Sequence, residues 1–212
     1  MLKGDLIIQG SGDPTISNRF YEGSQTKIFE DWADSLKAKG IWAITGNIYG
    51  DDSYFDNVGL GKGWTLDYES SWFEAPSGAL SFDDNSIEIK IVPSEINYPA
   101  KISIIPDTKF VQLAAKVITV DENSEQSVSV RRLRGTNLIS VTGNIKKDSK
   151  PISEHVSITD PTMFFLTVLK EVFEQKGIII KGRIGGIESA EKNIPSDDLT
   201  PIFSHRSVPL KM

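Results

Sequence analysis

The sequence predicts a mixed α/β fold in two small lobes that contain strand–helix–strand units and a strand-rich middle. Three observations lead to this prediction: two amphipathic helical segments, strand-like sequence around each of them, and a central run of alternating strands. At 212 residues, of which 39% are hydrophobic and 25% charged, the chain can bury a sizeable core. Its four Trp, five Tyr and ten Phe argue against disorder.

The first predicted helix covers residues 27–39. Lys37 and Lys39 lie in its last turn, and Gly40 follows as a terminator. Its apolar residues recur at helical spacing and form one face, which comprises Ile28, Phe29, Trp32, Ala33 and Leu36.

The second predicted helix covers residues 161–176. Asp160 is suited to cap it, Pro161 fits the first helical position, and Gly177 ends it. The expected buried stripe comprises Phe164, Phe165, Val168, Leu169, Val172 and Phe173.

Each helix is preceded by a strand-like segment, at residues 6–9 and 155–158, and is followed by Lys-Gly-Ile and a strand. This arrangement predicts two strand–helix–strand units, each needing a sheet to cover the apolar face of its helix. Either duplication or the frequency of helix–Gly–strand joints explains the likeness of the two units.

The sequence between these units is β-like. Residues 86–92 (SIEIKIV) alternate as a half-buried strand should, and four further strand-like segments follow, separated by Pro, Asp, Asn and Gly. Pro93 and Pro99 mark a crossover. We therefore predict a discontinuous lobe, residues 1–25 and 96–212, and an inserted lobe, residues 26–95. The alternative is one continuous lobe for each strand–helix–strand unit.

Composition excludes several classes of function. The net charge of −6 argues against nucleic-acid binding, and the densest basic run, residues 131–134, fits a solvated strand edge. No apolar run approaches the roughly 20 residues that span a bilayer. The chain has no Cys, which removes disulfides, thiolate catalysis and the common structural zinc sites. We predict no nucleic-acid partner, no membrane span, no metal and no cofactor.

Two glycine-rich stretches, residues 10–15 (GSGDPT) and 59–64 (GLGKGW), raise the possibility of phosphate binding. A Walker loop needs Lys and then Ser or Thr after its last glycine, whereas Asp13 and Pro14 occupy that place in the first stretch. Neither stretch has the full spacing, so turn roles are favoured for both.

Serine catalysis is also disfavoured. The two histidines, His155 and His205, are accompanied by no nucleophile-elbow motif. Ser-x-x-Lys occurs at residues 24–27 (SQTK) and 189–192 (SAEK), both in polar surroundings, while Lys-Thr-Gly and Ser-x-Asn do not occur. We predict no catalytic residue in this chain.

Two acidic pairs, Asp51-Asp52 and Asp83-Asp84, most simply form solvated turns, because adjacent carboxylates without His or Cys make a poor metal site. The first pair belongs to residues 51–55 (DDSYF), where two acids and two aromatics fall at the end of a strand. Such a group can receive an aliphatic chain that carries an ammonium.

Several segments occur in the order known from one family. They are GDLIIQGSGDPT, a helix, KGIWAITGNIYGDDSYF, KGW, APSGALSFDDNSIEIKIVPS and DPTMFFLTVLKEVFEQKGIIIKGRI. From about residue 4 to residue 210 the chain resembles the D-alanyl-D-alanine carboxypeptidase/endopeptidase family of low-molecular-mass penicillin-binding proteins.

The resemblance implies that the nucleophilic Ser-x-x-Lys lies upstream of this sequence and that Ser-x-Asn and Lys-Thr-Gly lie downstream. The chain is then the inserted non-catalytic region, with Asp13 and Pro14 at a corner after the first strand. The implied partners are a transpeptidase-like domain and the peptidoglycan stem peptide, in the periplasm or outside the cell. The alternative is a stand-alone peptidoglycan- or peptide-binding module without catalysis.

The resemblance also implies a substrate-binding role for DDSYF. Asp51 or Asp52 would pair with the ammonium of the diamino acid in the stem peptide, and Tyr54 or Phe55 would pack on its methylenes. Strand alternation would place Asp51, Ser53 and Phe55 on one face and Asp52 and Tyr54 on the other.

Overall fold

The computed structural model describes residues 1–21, 24–56, 58–59, 61–190 and 199–207. These residues contain both α-helices and β-sheets, which confirms the mixed α/β class. The helices are α1 (Lys27–Ala38) and α2 (Pro161–Gln175). The strands are β1 (Leu6–Gln9), β2 (Ala43–Ile44), β3 (Ile48–Asp51), β4 (Ser86–Val92), β5 (Lys101–Ile105), β6 (Gln112–Val120), β7 (Ser127–Arg132), β8 (Leu138–Lys146), β9 (Ile152–Ser157), β10 (Ile179–Ile180) and β11 (Ile184–Gly186).

The described residues form two compact units. The first unit takes its residues from Met1–Gly59, Ser77–Asp84 and Asp160–Met212. The second unit takes its residues from Leu60–Pro76 and Asn85–Thr159.

The boundaries of these units differ from those of the predicted lobes. The prediction was a discontinuous lobe of residues 1–25 and 96–212 and an inserted lobe of residues 26–95. The reason is a parallel sheet in the order β1–β3–β11, in which Leu6 and Ile184 both pair with Ile48. Residues after position 26 therefore share a sheet with segments from both halves of the chain. One continuous lobe per strand–helix–strand unit does not describe the division either, because α1 and α2 both belong to the first unit.

The core of the first unit lies on the predicted apolar faces of α1 and α2. All six residues of the predicted α2 stripe are buried, and so is the α1 face except for the half-buried Trp32. The ring of Phe29 on α1 lies 4.9 Å from that of Phe165 on α2 and 4.8 Å from that of Phe82, within the range of favourable aromatic contacts.

Only the first of the two predicted strand–helix–strand units forms as expected. Strand β1 precedes helix α1, and strand β3, which comes after α1 and the short strand β2, is the parallel neighbour of β1. The strand before α2 is different: β9 pairs antiparallel with β4, Ser157 opposite Ser86, and belongs to the second unit. Local sequence pattern does not select between these partners, because any strand with one apolar face can pair either way.

The second unit contains two three-stranded sheets, in the orders β5–β4–β9 and β6–β8–β7. Arg132 at the end of β7 is buried, so the prediction of a solvated basic edge was wrong for this residue. Its guanidinium donates to the carbonyl oxygens of Ser157, Thr136 and Glu69. Burial lowers the pKa of Arg132, and the nearby Glu69 carboxylate opposes this effect. Within the described part of the chain, no helix is long and apolar enough to cross a membrane.

Candidate functional site

A cavity of about 790 Å³ lies in the first unit, at the carboxyl ends of β3 and β11 and beside the first turn of α2. The carboxyl ends of parallel strands are where open α/β sheets bind ligands, because the loops that leave the sheet diverge there. Three short segments line the cavity: residues 52–56 without Tyr54, residues 160–163 without Pro161, and residues 184–189.

The cavity is strongly acidic. Its lining includes the carboxylates of Asp52, Asp56, Asp160 and Glu188, and among the residues that the structure describes it contains no Lys, Arg or His. Such a lining favours a cationic group and opposes phosphate. Across the described residues, no group of three or more His, Cys, Asp or Glu is placed to hold a metal ion.

Asp52, which follows the last residue of β3, forms a side-chain hydrogen bond with the first turn of α2. Its carboxylate accepts a hydrogen bond from the hydroxyl of the buried Thr162. The two elements approach closely at Gly50, where an added Cβ would lie 2.8 Å from Cγ2 of Thr162 and 2.9 Å from Cδ1 of Leu80. Asp52 is thereby held at the cavity wall by a partner from another element.

Asp51 has a different role from its neighbour. Its carboxylate accepts hydrogen bonds from Nε2 of Gln9 at 3.2 Å and from the backbone N–H of Ser53 at 3.1 Å. Asp51 is the last residue of β3 and does not line the cavity. The bond to Ser53 is of the Asx-turn type, which turns the chain out of the strand.

This turn explains why the predicted strand alternation was wrong. The backbone N–H of Phe55 donates to the carbonyl oxygen of Asp52 at 3.2 Å, so the chain after Asp51 is a turn and not an extended strand. As a result, Asp52 and Phe55 line the same cavity, whereas strand alternation would have separated them. Tyr54 is 72% exposed and lies outside the lining.

The glycine-rich stretch at residues 10–15 contributes to this site through Gly12. An added Cβ at Gly12 would overlap the ring of Phe55, and Gly12 has a φ of +81°, which favours glycine. The stretch turns at Pro14 and Thr15, as predicted, and Gly12 leaves space for the aromatic side chain at the cavity edge.

Sequence reasoning missed Asp56, Thr162 and Glu188. It identified Asp160 only as a helix cap, and that prediction is confirmed, because its carboxylate accepts from the backbone N–H of Met163 at 3.0 Å. The sequence did contain one signal that Asp160 lies at the cavity. Asp160 caps the start of a helix, and a helix that begins at the carboxyl edge of a parallel sheet places its first residues where such sheets bind ligands. Glu188 carried no local signal, because its place at the cavity depends on the pairing of β11 with β3.

The Ser-x-x-Lys match at residues 24–27 has the wrong environment for nucleophilic catalysis. The Ser24 hydroxyl donates to the carboxylate of Glu30 at 2.9 Å, and Lys27 pairs with Asp31. The hydrogen bond from Lys27 to Asp31 raises the pKa of the lysine, whereas a lysine that accepts the proton of a serine must be neutral. In the second match, the Ser189 hydroxyl donates to the carbonyl oxygen of Gly186 at 2.6 Å, and residues 191 and 192 lie outside the described residues.

Comparison with known proteins gives a family match over the whole chain. Residues 1–212 match the model of the D-Ala-D-Ala carboxypeptidase 3 (S13) family. The sequence is 26% identical over 187 residues to a D-alanyl-D-alanine carboxypeptidase of Actinomadura sp. (strain R39), covering 85% of this chain and 33% of that protein. It is 24% identical over 191 residues to D-alanyl-D-alanine carboxypeptidase DacB of Haemophilus influenzae, covering 86% of this chain and 37% of that protein.

The fold is similar to that of penicillin binding protein 4 (dacB) from Haemophilus influenzae. The TM-score is 0.69 at 19% identity, over 89% of this chain and 40% of that chain. For the same protein complexed with a β-lactam, the TM-score is 0.59 at 18% identity, over 87% of this chain and 37% of that chain. The chain spans about a third of the length of the curated relatives that it matches.

Proposed function

The chain belongs to the D-Ala-D-Ala carboxypeptidase 3 (S13) family, and from this premise we propose that it is an inserted, non-catalytic region of a serine-type carboxypeptidase or endopeptidase. The substrate of the whole enzyme is then the stem peptide of peptidoglycan, and its location is the cell envelope. The partner of this region is the transpeptidase-like domain that carries the nucleophile.

One observation supports the non-catalytic role above the others. The sequence contains neither Lys-Thr-Gly nor Ser-x-Asn, and in its fully described Ser-x-x-Lys the lysine is paired with Asp31. Penicilloyl transfer in this class of enzyme needs a serine, a lysine and these two further motifs together. We therefore expect the chain to form no covalent adduct with β-lactams.

Incubation with a fluorescent penicillin tests this expectation. The chain should stay unlabelled under conditions in which DacB of Haemophilus influenzae, used as a positive control, is labelled. Stoichiometric labelling would overturn the proposal, and loss of that label in Ser24→Ala or Ser189→Ala would identify the reacting serine.

The acidic cavity supports a more specific role in recognition. We propose that Asp52 pairs with the side-chain ammonium of the diamino acid in the stem peptide and that Phe55 packs on its methylenes. Of the DDSYF residues, Asp52 and Phe55 line the cavity together with Ser53, whereas Asp51 and Tyr54 do not. Asp51 supports them by ending β3 in a turn, and the ring of Tyr54 lies 5.9 Å from that of Phe55 at the exposed side.

The expected energy of this contact is small. Asp52 is half-buried, so water screens its pair with an ammonium, and such pairs contribute about 0.2–1 kcal/mol. The hydrogen bond from Thr162 fixes the carboxylate beforehand, which reduces the entropy lost on binding.

An NMR titration of the isotopically labelled chain measures this recognition directly. Two peptides ending in D-Ala-D-Ala are compared, one with lysine and one with norleucine at the diamino position, so that they differ in the ammonium alone. The lysine peptide should bind about two- to five-fold more tightly and shift the backbone resonances of residues 52–56.

Asp52→Asn should remove this preference, whereas Asp51→Asn, the matched control outside the cavity, should retain most of it. Equal binding of the two peptides by the unmodified chain would contradict the proposed role of Asp52. Equal loss in the two variants would show that the strand end as a whole, and not the Asp52 carboxylate, determines the preference.

A further inference from the structure

A second cluster of titratable side chains lies outside the acidic cavity, around His205. Nε2 of His205 is 3.4 Å from the carboxylate of Asp13 and 3.3 Å from the hydroxyl of Tyr21. The His205 and Asp13 side chains are only 24% and 15% exposed. The cluster joins segments that are 184 residues apart at Tyr21 and His205.

Asp13 is held in position by its own loop. Its Oδ1 accepts from the backbone N–H of Thr15 at 2.8 Å and from the Thr15 hydroxyl at 2.6 Å, and Thr15 is fully buried. The second oxygen, Oδ2, is the one that faces His205. The carboxylate is thus fixed before the imidazole reaches it.

Helix α1 supplies the apolar side of the same contact. The ring of Trp32 lies 5.8 Å from that of His205 and 6.1 Å from that of Phe203. Residues 199–207 therefore contact both the loop after β1 and the half-buried Trp32 of α1.

We propose that Asp13, Tyr21 and His205 form a proton-dependent clasp that holds residues 199–207 on the loop after β1 and on helix α1. Histidine is the side chain whose charge ordinarily changes between pH 5 and pH 8. The clasp is therefore weaker when the imidazole is neutral and stronger when it is protonated.

The strength of the clasp depends on the protonation state because Nε2 forms different hydrogen bonds in the neutral and in the protonated imidazole. In a neutral imidazole Nε2 either accepts from the Tyr21 hydroxyl or donates to Asp13, and these two states need different tautomers. In the imidazolium, Nε2–H donates toward the Asp13 carboxylate, which adds a charge-assisted hydrogen bond.

Tyr21, Asp31 and Arg206 are further titratable groups at this place. Burial and the charge of Asp13 raise the pKa of Tyr21, so its hydroxyl keeps its proton and remains a donor at neutral pH. Asp31 on α1 adds a second negative charge that acts on Tyr21. Arg206, the next residue after His205, is exposed to solvent.

Hydrogen–deuterium exchange with mass spectrometry tests the clasp on the whole chain. Protection of the peptide covering residues 199–207, corrected for intrinsic exchange, is compared at pH 5.5 and pH 8.0. We expect about two- to five-fold higher protection at pH 5.5, as for a partly exposed charge pair. His205→Gln and Asp13→Asn should each abolish this difference, whereas His155→Gln, in β9 of the second unit, should preserve it.

Tyr21→Phe provides a second, independent test. It removes the donor that serves the neutral imidazole but keeps the Asp13 partner of the charged one. Protection should fall at pH 8.0 more than at pH 5.5, so the ratio between the two pH values should increase. Equal protection at both pH values in the unmodified chain, or an unchanged ratio in Tyr21→Phe, would overturn the proposal.

Discussion

At the residue scale, the geometry of the cavity depends on the absence of a side chain at Gly50. A Cβ there would meet Thr162 and Leu80 at less than van der Waals separation. Gly50→Ala should therefore push the start of α2 away from β3 and destabilise the protein by about 1–3 kcal/mol. Urea unfolding gives this value.

The double variant Gly50→Ala, Thr162→Ser provides the control. Serine keeps the hydroxyl that donates to Asp52 and lacks the methyl that an alanine would meet at 2.8 Å. It should recover part of the lost stability, because the two changes share one contact and are not additive. Full stability in Gly50→Ala alone would show that the close approach has no energetic consequence.

Residue roles were predictable where the determinant is local. The Asp160 cap follows from the identity of the residues next to it in the sequence. Which of Asp51 and Asp52 lines the cavity did not follow, because it depends on Gln9 and Thr162, which approach from other elements. The same holds for Glu188, whose position requires knowledge of strand order.

At the element scale, a group of polar contacts joins the two helices of the first unit. The Glu30 carboxylate on α1 lies 3.2 Å from Nζ of Lys176, just after α2, and accepts from the hydroxyls of Ser24 and Thr26. Burial acts to raise the pKa of Glu30, but the hydrogen bonds from Ser24 and Lys176 outweigh it, and the pKa is lowered.

A lowered folded-state pKa gives a defined pH dependence. The stabilisation by Glu30 is fully present above its unfolded-state pKa of about 4.5 and is lost as the pH falls through the lower folded-state value. Glu30→Gln should cost about 0.2–1 kcal/mol at pH 7 and should flatten the loss of stability below pH 4.5. Chemical unfolding at pH 7 and at pH 3 measures both effects.

Glu174→Gln is the matched control for this prediction. Glu174 pairs with Lys170 within α2, one helical turn apart, and therefore does not join the helices. Such a pair contributes only about 0.2–0.5 kcal/mol. A loss in Glu174→Gln as large as in Glu30→Gln would contradict the role assigned to the contact between helices.

The existence of the elements was more predictable than their pairing. Helix faces and the alternation of β4 follow from periodicity, and both agree with the buried residues. The antiparallel pairing of β9 with β4 and the parallel pairing of β11 with β3 join segments far apart in the sequence. Local pattern contains no information on such partners, which is why the predicted lobe boundaries and the observed units differ.

At the scale of the whole molecule, each of the two units has its own core, and each contains a buried residue that contacts several parts of that unit. Phe29 is fully buried among the rings of the first unit, and Arg132 is buried among carbonyl oxygens of the second. If the units are separate folding domains, damage to one core should leave the other protected.

Phe29→Ala removes a buried aromatic side chain and should cost the first unit about 3–5 kcal/mol. Arg132→Met leaves Glu69 and three carbonyl oxygens without their buried partner and should cost the second unit a similar amount, about 3–5 kcal/mol. Hydrogen exchange should accelerate in α2 for Phe29→Ala and in β4 and β8 for Arg132→Met, with the other unit unchanged in each case. Acceleration of all three elements in both variants would instead mean that the chain unfolds as one cooperative domain, because the loss of either core would then expose the amides of both.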